Sequence, residues 1–170
     1  MKDGKTVAIV PGSFDPITLG HIDIVKRASE RYDTVYLAVM INDQKNYMFS
    51  LDERELIARI ATKEIDNVTV VSSDGMLYEL AESLSADAIV KGYRNDTDYN
   101  YEMNMAKFNS KHYPPAKTIL LRSSKRLAEV SSTTVRKIIL SDISKLYEYM
   151  PKAAAEKTIE IILSKEKVKS

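Results

Sequence analysis

Five short apolar runs recur along the chain with helix-forming stretches between them, and this alternation limits the fold more than any single motif does. The runs occupy residues 6–10, 34–41, 68–71, 87–90 and 118–121. Each is too short for a helix and is apolar at successive rather than alternate positions, the pattern of a strand buried on both faces. Helical spacing follows. Ile22, Ile24, Val25 and Ala28 come after the first run; Leu56, Ile57, Ile60 and Ala61 follow the capping box Ser50-Leu51-Asp52-Glu53; Leu77, Leu80, Ala81 and Leu84 precede the fourth run. Strands alternating with helices predict an α/β fold: a parallel five-stranded sheet with helices on both faces, joined by right-handed crossovers. A chain of 170 residues is expected to form one domain, residues 1–170. Pro151 suits the first turn of a last helix with Ala155, Ile159, Ile162 and Leu163 on its apolar face. The lysine-rich end of that helix, 164–170, is expected to fray.

Open sheets of this kind bind ligands beyond the carboxyl ends of their strands, so the residues that follow each run carry the functional signal. The first run leads into the turn Pro11-Gly12-Ser13-Phe14-Asp15-Pro16-Ile17-Thr18-Leu19-Gly20-His21, which delivers a histidine to the start of a helix. The first amides of a helix lack intrahelical partners and carry partial positive charge, so anions bind there. Ser13, Thr18 and His21 add donors of short reach. The turn has neither the Gly-Lys-Ser/Thr ending of a Walker loop nor G-x-G-x-x-G spacing. Read plainly, His21 caps the helix and Gly20 eases packing.

Polar and cationic residues recur after the later runs: Asn42, Asp43, Gln44 and Lys45; Ser72, Ser73 and Asp74; Lys91, Gly92, Tyr93 and Arg94; Arg122, Ser123, Ser124, Lys125 and Arg126. A second anion signature lies at Glu129-Val130-Ser131-Ser132-Thr133-Thr134-Val135-Arg136, where hydroxyls precede a helical pattern and Arg136 falls within its first turns. The simpler reading is a hydroxyl cap beside a solvated arginine.

Composition removes several functional classes. Twenty-five basic residues face 24 acidic ones, for a formal net charge of +1, so no general attraction to nucleic acid or to a membrane surface is expected. The chain has no cysteine, which rules out disulfides, thiolate catalysis and cysteine-based zinc sites. With only two histidines, no protein-held metal is expected. The short apolar run before Pro11 is too brief for a signal sequence or a membrane span, and the protein is expected in the cytoplasm.

These motifs, with Lys91-Gly92-Tyr93-Arg94, Tyr101-Glu102 and the spacing between the segments, resemble the bacterial phosphopantetheine adenylyltransferases over nearly the whole chain. Thr18-Leu19-Gly20-His21 alone matches the wider nucleotidyltransferase superfamily; the later segments narrow the resemblance. It implies a Rossmann-like domain that transfers adenylate from ATP to 4'-phosphopantetheine, giving dephospho-coenzyme A and pyrophosphate without a covalent enzyme intermediate. By resemblance, His21 is the catalytic residue. The implied ATP-binding positions are Ser13, Phe14, His21, Gly92, Tyr93, Arg94, Glu102, Leu127, Ala128, Glu129, Val130, Ser131, Ser132 and Thr133. Ser13, Lys45, Met76 and Lys91 fall where the family contacts phosphopantetheine. The resemblance also implies Mg2+ arriving with ATP, a homohexamer, and coenzyme A as a candidate feedback ligand. Two positions depart from the family: lysine stands at 91 where arginine is usual, and leucine at 127 where an aromatic residue is frequent.

Other readings stay open on the residues alone. A sister nucleotidyltransferase would use glycerol phosphate with CTP or nicotinamide mononucleotide with ATP. A regulatory protein would bind nucleotide without turnover, and a class I tRNA synthetase fragment would need a tRNA-reading domain for which there is no room. Met103, Met105 and Phe108 read as core or interface residues, and His112 as structural or exposed.

Overall fold

A computed structural model describes residues 4–169, leaving Ser170 of the lysine-rich tail outside the described residues. Thirteen elements alternate as the sequence pattern predicts. They run β1 (Val7–Gly12), α1 (Leu19–Arg31), β2 (Thr34–Met40), α2 (Leu51–Thr62), β3 (Val68–Ser73), α3 (Leu77–Ser83), β4 (Ala88–Tyr93), α4 (Asp96–His112), β5 (Lys117–Arg122), a 3-10 turn (Lys125–Leu127), α5 (Ser132–Ser141), a second 3-10 segment (Ile143–Glu148) and α6 (Lys152–Lys169). All five strands are parallel, in the order β3-β2-β1-β4-β5. The order reverses between β1 and β4, the place where such sheets open a ligand crevice.

The ladder itself shows the opening. β2 pairs with β1 along its length, from Val7↔Thr34 to Gly12↔Val39, whereas β4 pairs with β1 only at Ala8↔Ala88 and Ile9↔Ile89. Beyond Ile9 the two strands part, while β4 stays paired to β5 as far as Tyr93↔Arg122. Pro11 and Gly12, expected in the turn, are therefore the last residues of β1. A proline without an amide hydrogen is tolerated there because one side of the strand has no ladder to feed.

Helices cover both faces. Ala8, Val10, Leu37, Val39 and Val90 face the larger core with Ile22, Ile24, Val25 and Ala28 of α1, Ile57 and Ala58 of α2, and Ala154 and Ala155 of α6. Ile9, Ala38 and Ile89 face the smaller one, closed by Ala81 with Leu77, Leu80 and Leu84. On α2, Ile57, Ile60 and Ala61 pack on the core as expected, but Leu56 is exposed, and the fully buried line is Arg54, Ile57, Ala58 and Thr62. On α6, Leu163 is also exposed. Met103 and Phe108 on α4 lie outside the core; Phe108 instead joins Tyr78 and His112 in an aromatic cluster at the α3–α4 surface. No helix among the described residues is long and apolar enough to cross a membrane.

Candidate active site

The turn after β1 is held from several sides. Phe14 adopts a left-handed backbone (φ 48°) that swings its ring back over Gly12, where a Cβ would stand 2.9 Å from the ring. That contact requires the glycine. Phe14 is buried and meets His21 edge to face at 5.0 Å, so its ring supports the site from within. The Asp15–Pro16 peptide is cis. The Asp15 carboxylate accepts the amides of Met48 and Phe49, each at 2.9 Å, which fastens the loop after β2 to this turn.

His21 is both a cap and a candidate donor. Thr18 is the N-cap of α1, and its amide donates to His21 Nδ1 at 3.0 Å in a capping box. With Nδ1 accepting, the proton of the neutral ring sits on Nε2, leaving an N–H to offer outward. Burial first, and the positive charge of Arg94 second, push the imidazole down to about pKa 4. The ring is thus neutral at neutral pH, with the cationic Arg94 as its charged neighbour.

The helix-end amides are less free than the motif suggests. Leu19 N–H donates to the Tyr149 carbonyl at 2.8 Å and His21 N–H to Thr18 Oγ1 at 3.4 Å. Gly20 has a packing role: a Cβ there would stand 2.9 Å from the Val130 carbonyl oxygen, so α1 is seated directly on segment 127–131. The two anion signatures are therefore one surface. In the second, Ser131 caps α5 by accepting Thr134 N–H, Ser132 Oγ donates to the Pro16 carbonyl at 2.8 Å, and Thr133 Oγ1 accepts from Arg136. Those hydroxyls are occupied, whereas the amides of Ser132 and Thr133 in the first turn have no intrahelical acceptor. Arg136 is not a free ligand either. It donates to the Asp15 carbonyl at 2.9 Å and lies 3.8 Å from that carboxylate, bracing the turn from α5.

Arg94, Ala128, Glu129, Thr134 and Tyr149 line an open cavity of about 350 Å³ beside this surface. Arg94 follows β4 and is oriented by Asp98, which accepts both its Nε and its amide. Gly92 packs closely on α1, where a Cβ would stand 3.0 Å from the Ile24 side chain. Lys91, one residue earlier, pairs with Glu102 of α4 at 2.6 Å. Tyr93 packs edge-on against Tyr99. Leu127 closes the 3-10 turn, half-buried. Lys45 and Met76 stand exposed beyond the carboxyl ends of β2 and β3, at the same rim but with no contact to His21.

Sequence reasoning missed Arg54. It is 2% exposed, and its guanidinium donates to the carbonyls of Ser13 at 2.9 Å, Met40 at 3.1 Å and Phe49 at 3.3 Å. The ring of Tyr47 lies 3.9 Å from its centre, and Tyr47 Oη accepts the Asn42 amide. One buried cation thus ties the ends of β1 and β2 to the loop that carries Lys45. Its place in line with Ile57 and Ala58 was the available signal.

The surface as a whole can hold a polyanion at the β1–β4 opening, with a neutral donor histidine at its centre and lysines on two sides. The sequence profile of the cytidylyltransferase-like family matches residues 9–138. A phosphopantetheine adenylyltransferase of Caldanaerobacter subterraneus subsp. tengcongensis is 42% identical over 154 residues, 91% of this chain and 96% of that protein. Another, of Lactobacillus helveticus, is 41% identical over 89% of this chain and 92% of its own length. Among solved structures, the Plasmodium falciparum nicotinic acid mononucleotide adenylyltransferase complexed with APC aligns with a TM-score of 0.65 at 16% identity, over 94% of this chain and 96% of that one, a likeness of fold alone. The chain belongs to the cytidylyltransferase-like family, and within it to the phosphopantetheine adenylyltransferases.

Proposed function

We propose that this chain transfers adenylate from ATP to 4'-phosphopantetheine, releasing dephospho-coenzyme A and pyrophosphate. An oxygen of the acceptor phosphate attacks the α-phosphorus of ATP in line, the bond to the β-phosphate oxygen breaks, and pyrophosphate leaves. No side chain is required as a nucleophile, so the protein's work is positioning and charge stabilisation. The observation that carries this reading is the His21 geometry. A neutral ring with Nδ1 fixed by Thr18 presents Nε2–H to a phosphate oxygen, and the hydrogen bond strengthens as negative charge develops there.

The remaining roles are carried over from the resemblance to the family: Ser13 at the junction of the two substrates, and Phe14, Gly92, Tyr93, Arg94, Glu102 and residues 127–133, with the amides at the start of α5, for the nucleotide. Lys45, Met76 and Lys91 face the acceptor, and the two lysines offset repulsion between its phosphate and the triphosphate. Mg2+ belongs to this proposal as a companion of the triphosphate. Among the described residues there is no cluster of three or more histidine or carboxylate side chains able to hold a metal, so the ion's ligands would be phosphate oxygens and water. A homohexameric, cytoplasmic enzyme with coenzyme A as feedback ligand completes the reading by resemblance to the family.

The test is pyrophosphate release with Mg2+ and three substrate pairs: ATP with phosphopantetheine, CTP with glycerol phosphate, and ATP with nicotinamide mononucleotide. Release with the first pair alone, accompanied by dephospho-coenzyme A, is the expected result. Turnover of either other pair in its place moves the protein to a sister activity, and silence in all three despite ATP binding makes it a nucleotide-binding regulator.

A further inference from the structure

We propose that the Lys91–Glu102 ion pair couples the two substrates, because each must open the same pair in order to bind. Lys91 Nζ lies 2.6 Å from Glu102 Oε2, with the two side chains 23% and 15% exposed. The lysine stands on β4 where that strand has parted from β1, and the glutamate reaches it from α4. Glu102 Oε2 is buried and meets no other donor among the described residues. That oxygen has no solvent exposure while the pair is closed, so a nucleoside's hydroxyl reaches it only when the two side chains separate.

While closed, the pair is electrically neutral and offers a dianionic phosphate little attraction. An acceptor phosphate gains the full charge of Lys91 only by displacing Glu102. A nucleotide gains the full acceptor strength of Glu102 only by displacing Lys91. Whichever arrives first bears the cost of separation, and the second finds its partner already released. By linkage each substrate then tightens the other by the same factor. Lysine suits this exchange. Its compact ammonium swings on a flexible stem, whereas an arginine fork would grip the carboxylate at two points. The inference rests on the phosphopantetheine reading above.

Calorimetry decides it, using 4'-phosphopantetheine and α,β-methylene-ATP, whose α–β bridge cannot be cleaved in the transfer. In the wild-type protein the nucleotide analogue should lower the Kd of phosphopantetheine by about fivefold, and phosphopantetheine should do the same for the analogue. Glu102→Gln, or Glu102→Ala should that variant alone fold, must bind phosphopantetheine without nucleotide about as tightly as the wild type does with it, and the mutual effect must vanish. A gain in acceptor affinity alone follows from removing any negative charge beside Lys91, so the loss of the mutual effect is the deciding readout. Variants that bind the acceptor no more tightly than wild type, or that retain the coupling, overturn the exchange alone. Wild-type protein that does not bind phosphopantetheine overturns the functional reading and the exchange with it.

Discussion

A histidine whose Nδ1 accepts from a backbone amide has one nitrogen left for a substrate, so the cap on α1 and the chemistry of the site are the same hydrogen-bond arrangement. The capping reading of the Thr18-Leu19-Gly20-His21 turn is the one the structure shows, and the cap leaves Nε2 free for the proposed role. His21→Ala removes the Nε2 donor and should lower turnover by roughly 10²-fold or more, with a smaller change in the Michaelis constants. It also strips one partner from the N-cap, a loss of about 1 kcal/mol that leaves the protein folded. Steady-state kinetics beside a thermal melt separates the two effects, and an unchanged turnover number would remove His21 from the reaction. At this scale the sequence was legible where a residue's packing and its motif coincide, as for His21 in its capping role and Gly20, which seats α1 on segment 127–131. Of the two readings of segment 131–136, the hydroxyl cap holds at Ser131, while Arg136 is not solvated as that reading had it but bound to Asp15, and the hydroxyls of Ser132 and Thr133 are engaged by Pro16 and Arg136. Residue type alone does not reveal whether a donor is already engaged.

The loop between β2 and α2 is where element-level geometry sets function, because nothing in 42–47 packs into the core and its shape comes from its neighbours. Asp15 takes its last amides, Arg54 takes the Phe49 carbonyl, and Lys165 of α6 reaches the Met48 carbonyl and Glu53. Arg54→Met should therefore destabilise the fold by on the order of 3 kcal/mol, since carbonyls of Ser13 and Met40 lose their buried donor. It should also raise the Michaelis constant for phosphopantetheine more than that for ATP, because Lys45 rides on the released loop. Denaturant unfolding and a two-substrate kinetic analysis check both; equal shifts in the two constants would mean that Arg54 organises the whole site. The strand and helix order was readable from periodicity, and all four residues expected on the buried face of α1 are there. On α2, Ile57, Ile60 and Ala61 pack on the core as expected, but Leu56 is exposed and the burial of Arg54 was not readable, because a charged residue is taken as solvent-facing until three carbonyls and the Tyr47 ring are seen around it.

Across the whole molecule, the crevice arises from sheet order, and sheet order cannot be read from a run of strands: periodicity predicts five parallel strands but leaves open where the order reverses. The reversal beside β1 is what buries His21 near Arg94 at the mouth of the sheet, and that placement carries a cost in acid. The imidazole has an ordinary pKa of 6.5 in the unfolded chain and about 4 in the native protein. Above pH 6.5 both states hold it neutral, and it adds no pH dependence. Between 6.5 and 4 the unfolded chain takes up a proton that the native state refuses, so stability falls; below 4 both are protonated and the loss is complete. The full loss is at most about 3 kcal/mol. The carboxylate of Asp33, held below its ordinary value of 3.8 by the Thr6 amide, erodes stability only at lower pH. Thermal unfolding from pH 7.5 to 5.5 should therefore show a decline beginning near 6.5 that His21→Gln abolishes, since glutamine does not titrate and the lowered carboxylates of Glu53 and Asp142 lose stability only at lower pH. A variant that keeps the same decline would assign it to another group and would mean that the native imidazole titrates as it does in water.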